Sequence, residues 1–150
     1  MSERLSRCSK VRAMPTSLQD WLSELATSSV AVSPGNGFPE PGQASAWLVF
    51  VNGTTLQAEY WRLIEDGAAS FSSFDHQQTY GLPAAIDAIE ELRKRLSGRE
   101  VVEALHDQET GDLVFKFTGN TKLQILNVTG YEIWEMRFPN GAVTYSNRAK

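Results

Sequence analysis

The chain has one cysteine, two histidines and no long apolar run in its 150 residues. Cys8 alone cannot close an internal disulfide, and no cysteine–histidine cluster is present to build a structural zinc site. No apolar stretch approaches the roughly 18 residues of a membrane span. The opening residues carry charge without an apolar core, so they do not read as a secretory signal. A basic excess is missing as well. Lys and Arg number 14 against 18 Asp and Glu, a net charge of −4, which argues against a general nucleic-acid binder. No Gly-x-Ser-x-Gly elbow, phosphate-binding Walker loop or Gly-x-Gly-x-x-Gly turn occurs. No cofactor or metal is expected, and a cytoplasmic location follows as the default.

Charge is unevenly spread. Residues 1–12 hold Arg4, Arg7, Lys10 and Arg12 against Glu3, a net of +3, which leaves −7 for the remainder. Residues 1–13 lack any periodicity and are expected to be a disordered basic tail, with Met14 an alternative start to Met1. Residues 14–150 are expected to form one domain. Ser33 to Gln43 is dense in proline and glycine and reads as a loop.

Two segments have helical spacing. Thr16 or Ser17 can cap a helix carrying Leu18, Trp21, Leu22 and Leu25. Pro83 suits the first turn of a second helix and Gly98 its end, with Ile86, Ile89, Leu92 and Leu96 as the apolar stripe. Glu90 and Lys94 are spaced for an ion pair. A shift of 71 residues carries Leu18, Trp21 and Leu25 onto Ile89, Leu92 and Leu96, and Val30 onto Val101. Further blocks follow in the same order: Leu48-Val49-Phe50 with Leu113-Val114-Phe115, Glu59-Tyr60-Trp61 with Glu132-Ile133-Trp134, and Asp66-Gly67 with Asn140-Gly141. An internal duplication is therefore expected, with repeats over about 16–73 and 84–146. Each repeat reads as a helix, a short strand and a three-stranded meander. Strand alternation puts Leu113, Phe115 and Phe117 on one face, and Trp134, Met136 and Phe138 on another. The expected fold is α+β, antiparallel sheet structure covered by two helices.

Trp61 and Trp134 read as core anchors. Glu59 and Glu132 are matched charged positions, but nothing in the sequence sets their separation as an acid–base pair. Asp75-His76 is the most catalytic-looking pair. Neighbours on a strand point to opposite faces, however, and in a turn Asp75 more simply caps backbone N–H groups. His106, beside Asp107, is the only other histidine. Catalytic residues are therefore not assigned. A small enzyme using His76 or His106 with carboxylates is the weakest of three readings.

Binding needs less geometry. Phe38, Phe74, Tyr80 and Tyr131 lie in or beside loops, where aromatics serve as interface anchors. Glu65, Asp66, Asp75, Glu109, Asp112, Glu132 and Glu135 can steer a basic partner, and His76 joins the candidate set. Function is expected where the repeats differ, at the 33–45 loop and at 74–82.

The residues Trp61-Arg62-Leu63, Asp75-His76, Tyr80-Gly81-Leu82-Pro83, Gly111-Asp112-Leu113 and Gly130-Tyr131-Glu132-x-Trp134-Glu135 form a pattern spread over about 46–146. It resembles small, uncharacterised bacterial domain families, some of which serve as immunity proteins of polymorphic toxin systems. The resemblance carries over no catalytic residue. It implies a cytoplasmic protein that binds a folded cognate toxin and blocks its active site or target surface. A chaperone or adaptor for a secreted effector is the alternative.

Overall fold

Alternating apolar residues dictate most of the architecture. The computed structural model describes residues 17–131 and 133–146; the expected tail at 1–13, Met14, Cys8 and Glu132 lie outside them. Helix α1 spans Leu18–Ser23 and α2 Ala88–Leu96. Five strands follow each helix. The first set is β1 (Val30–Pro34), β2 (Ala46–Phe50), β3 (Thr55–Ala58), β4 (Trp61–Glu65) and β5 (Ala68–Ser72); the second is β6 (Val101–His106), β7 (Leu113–Phe117), β8 (Thr121–Ile125), β9 (Trp134–Arg137) and β10 (Val143–Tyr145). The fold is α+β, with two five-stranded antiparallel sheets.

Neither sheet belongs to one half of the chain. The first has the order β1-β2-β3-β9-β10 and the second β5-β4-β8-β7-β6. Each half thus supplies three strands to one sheet and two to the other. This departs from the expected self-contained meander, because the chain leaves its own sheet between β3 and β4, and again between β8 and β9.

The ladders match in register. Val30 faces Phe50 as Val101 faces Phe117. Leu48 faces Leu56 as Phe115 faces Leu123. Ala58 faces Trp134 as Ile125 faces Trp61. Leu48 therefore corresponds to Phe115, two residues beyond the Leu113 that the Leu-Val-Phe match suggests. An isolated bridge joins Ser29 to Glu100, positions one 71-residue shift apart.

One apolar core unites the sheets. Leu48, Leu56 and Met136 come from the first, and Leu63, Phe115 and Leu123 from the second. Phe50 and Phe115 meet across it with ring centroids 5.4 Å apart. Trp61 and Trp134 are 0% and 2% exposed, and each buries its polar tip on a carbonyl. Trp61 Nε1 donates to Ala44 O at 2.9 Å and Trp134 Nε1 to Gly111 O at 2.8 Å. A buried indole N–H requires such a partner.

The helices divide between the sheets. α1 packs against β6 and α2 against β1, the outermost strand at one edge of each sheet. Polar side chains of the helices satisfy those edges. Gln19 Nε2 donates to Ala104 O (2.9 Å) and Gln19 Oε1 accepts from His106 N (3.2 Å). Arg93 Nε donates to Val32 O (3.0 Å). A covered edge is a poor template for another strand.

Ser17 caps α1 through its hydroxyl, which accepts from Asp20 N. The second helix begins later than Pro83 suggests. Asp87 is its N-cap and accepts from Glu90 N, whereas Ile86 is engaged outside the helix with Gln77 and Gln78. On its surface Glu90 pairs with Arg93, and Lys94 with Glu91 at 3.7 Å, so the expected Glu90–Lys94 pair gives way to shorter i,i+3 contacts. Gly98 follows α2 with φ +77°, as expected. The β4–β5 turn uses Asp66 and Gly67, both at positive φ between the paired Glu65 and Ala68, the conformation of a two-residue hairpin turn.

Candidate protein-binding surface

Two irregular segments of the first half meet on one side of the molecule. The β1–β2 loop contributes Gly42, whose N–H donates to His76 O at 2.8 Å. The second segment runs from β5 to α2. It opens with a 3-10 turn at Ser73–Asp75, closed by a reciprocal cap: Ser72 Oγ accepts from Phe74 N (3.1 Å), and Asp75 Oδ2 accepts from Ser72 N (2.8 Å). Gln77 N then donates to Ile86 O, and Ile86 N to Gln78 O. These bonds hold the loop in place without regular structure.

His76 is the keystone of this segment. It is 6% exposed, and its Nδ1 accepts from Ala88 N at 3.1 Å. A first-turn N–H has no partner within its own helix, so the imidazole supplies one. His76 is thus turned toward α2 and is corrected from a partner contact to a buried positioning residue. Asp75 does not orient it. The second oxygen of Asp75 accepts from Tyr80 Oη at 2.7 Å. That hydrogen bond holds the Tyr80 phenol above its ordinary pKa, with partial desolvation and the carboxylate charge adding.

The scaffold presents apolar groups to solvent. Phe38 is 94% exposed, Tyr80 66%, Leu82 53% and Phe74 47%; the Phe74 ring stacks on Tyr60 at 5.3 Å. Aromatic side chains held rigidly and left exposed carry large contact area at low entropic cost. Leu82 and Tyr60 were not singled out as site residues from sequence. The only signal for them was adjacency to Tyr80 and Trp61.

The remaining candidates lie elsewhere. Glu65 is engaged by Arg95 and by Ser70 Oγ, so it ties the β4–β5 turn to α2. Asp66 is exposed in that turn at φ +52°. Asp112 Oδ1 accepts from Asn127 N at 2.7 Å. Glu135 sits 3.5 Å from Arg137. Glu109 and the 82%-exposed Tyr131 belong to the opposite half of the fold. The structure therefore brings Phe74, Asp75, His76 and Tyr80 together on the β5–α2 segment, leaves Phe38 exposed on the β1–β2 loop that meets this segment at Gly42, and leaves the other acids dispersed.

His106 is part-buried, with its ring edge-on to Trp134 at 6.2 Å. Burial pushes its pKa below the ordinary histidine value, and the charge of Asp107 opposes that shift. Among the described residues, no three His, Cys, Asp or Glu side chains group as a metal site. No helix among them is long and apolar enough to cross a membrane. The chain matches no protein-family model, no curated protein and no solved structure.

Proposed function

We propose that the protein acts by binding another protein through the face built from the β1–β2 loop and the β5–α2 segment, as an immunity protein that neutralises a cognate bacterial toxin. The observation that carries this reading is the set Phe38, Phe74, Tyr80 and Leu82. They stand exposed on segments fixed by internal hydrogen bonds. A prearranged aromatic face loses little freedom on docking. The net −7 of residues 13–150 favours encounter with a basic partner. The test is co-expression with the toxin encoded beside the gene. The pair co-purifies at one to one and growth is rescued, and the double change Phe38→Glu and Leu82→Glu abolishes both while leaving the melting temperature unchanged. A pair that neither co-purifies nor rescues growth overturns the reading.

We also infer that the chain is a duplicated helix-plus-five-strand unit whose copies exchange their last two strands. Support comes from the matched ladder registers, from the tryptophan hydrogen bonds at corresponding places, and from the reciprocal packing of each helix on the other half's first strand. Function then concentrates where the copies differ, and the aromatic face is built from the β1–β2 loop, longer than the β6–β7 turn that answers it, and from the β5–α2 segment.

A further inference from the structure

A cleft of about 800 Å³ opens between α1, the β6–β7 turn, the β8–β9 loop and the end of β10. Its size lies within the roughly 300–1,000 Å³ of ligand-binding sites. It shares no lining residue with the aromatic face described above.

The first half shows what such a space can hold. Under the matched strand order, Leu18 of the cleft corresponds to Ile89, the Glu109–Gly111 turn to the chain around Gly42–Ala44, and Ser146 to Ser72. There the chain's own residues 73–78 lie between those counterparts. They are seated by Gly42 N on His76 O, by Gln77 N on Ile86 O, and by the His76 ring under the first turn of α2. A short, turn-containing segment with one ring inserted is thus the occupant this geometry accepts.

The chemistry of the walls narrows the occupant. Among the described lining residues none is Lys or Arg, and Glu109 is the one carboxylate. Asp107 and Asp112 lie in the same turn and add negative charge. Asp107 Oδ1 accepts from Glu109 N and Thr110 N, and so fixes the Glu109 backbone at the rim. Tyr145 also lines the cleft. A guanidinium satisfies both a carboxylate and an aromatic face.

We propose that this cleft receives a short, arginine-bearing segment of a partner protein. Glu109 pairs with the guanidinium and Tyr145 supplies the aromatic wall. The comparison of halves rests on the duplicated-unit reading, whereas the test below does not depend on it or on any toxin.

The probe is a fluorescein-labelled octapeptide, Gly-Arg-Phe-Arg-Gln-Gln-Arg-Thr, titrated against the full chain beside a twin in which each arginine is glutamate. The arginine peptide binds at least about tenfold more tightly, and Glu109→Lys weakens it by about fivefold or more. Val128→Trp, a change at an exposed rim position, fills the cleft and also weakens binding. The Trp134 indole N–H resonance, beneath the cleft, shifts with the arginine peptide only. Equal binding of the two peptides, no binding, or binding indifferent to Glu109→Lys and Val128→Trp overturns the proposal. So does binding seen only after Arg4, Arg7, Lys10 and Arg12 are changed to serine, which makes the chain's own basic segment the occupant.

Discussion

Replacing Trp134 with phenylalanine removes a buried N–H donor and part of a ring from the core. The Gly111 carbonyl, 2.8 Å from Nε1 in the native protein, loses that partner at a cost of about 1–3 kcal/mol. The lost ring volume adds about 1–2 kcal/mol, because the surrounding strands relax only in part. Trp134→Phe is therefore expected to destabilise by about 2–4 kcal/mol. Trp61→Phe strands the Ala44 carbonyl in the same manner and is expected to cost the same within about 1 kcal/mol. For a chain of this length that is a fall in melting temperature of about 5–15 °C for each variant. Urea unfolding followed by far-ultraviolet circular dichroism measures both, with m unchanged from the native protein. The reasoning fails if either variant costs under about 1 kcal/mol, or if the two differ by more than about 2 kcal/mol. In the first case the indole bond is dispensable, and in the second the two sites are not energetic counterparts.

Three further outcomes follow from the geometry. Gln19→Ala uncovers Ala104 O and His106 N at the β6 edge; it should cost about 1 kcal/mol and speed aggregation in light scattering at raised temperature. Gly119→Ala places a methyl group in a residue at φ +81° and against Arg99, a group that otherwise donates to Thr118 O at 2.9 Å. A loss of about 1–2 kcal/mol is expected by thermal melting. The lowered pKa of His106, caused first by burial, means that the unfolded chain binds a proton more readily. Its contribution to stability is complete above the ordinary histidine value, declines as pH falls through that value, and levels off below the lowered one. His106→Gln should flatten this part of the stability–pH curve, and an unchanged curve refutes the assignment.

Period-two alternation made much of the sheet legible. Leu113, Phe115 and Phe117 are buried on one face of β7, and Trp134, Met136 and Phe138 on one face at β9. Alternation is blind to a slip of two residues, since such a slip keeps every side chain on its face. That is why Leu48-Val49-Phe50 looks like Leu113-Val114-Phe115, although the ladder sets Leu48 level with Phe115. Partner choice between strands is equally invisible, because β3 can present its edge to either β4 or β9 with the same apolar pattern. In the candidate surface, the exposure of Phe38 and Tyr80 accords with their loop positions, and Asp75 caps a turn as its type suggests. The burial of His76 was hidden because its partner, Ala88 N, lies 12 residues away at a helix start that the sequence places elsewhere.

Sharing strands between halves has a cost during synthesis. β3 leaves the ribosome long before Trp134–Arg137, the strand that pairs with it. At about 5–20 residues per second its edge waits on the order of 4–15 s. β4 likewise waits for Thr121–Ile125. Through that interval the nascent chain displays two edges that suit one another's counterparts. On the duplicated-unit reading, two unfinished chains on one messenger can pair β3 of one with β4 of the other. A fragment ending near residue 82 should accordingly emerge as a symmetric dimer, a stable trap for any chain whose translation stalls midway.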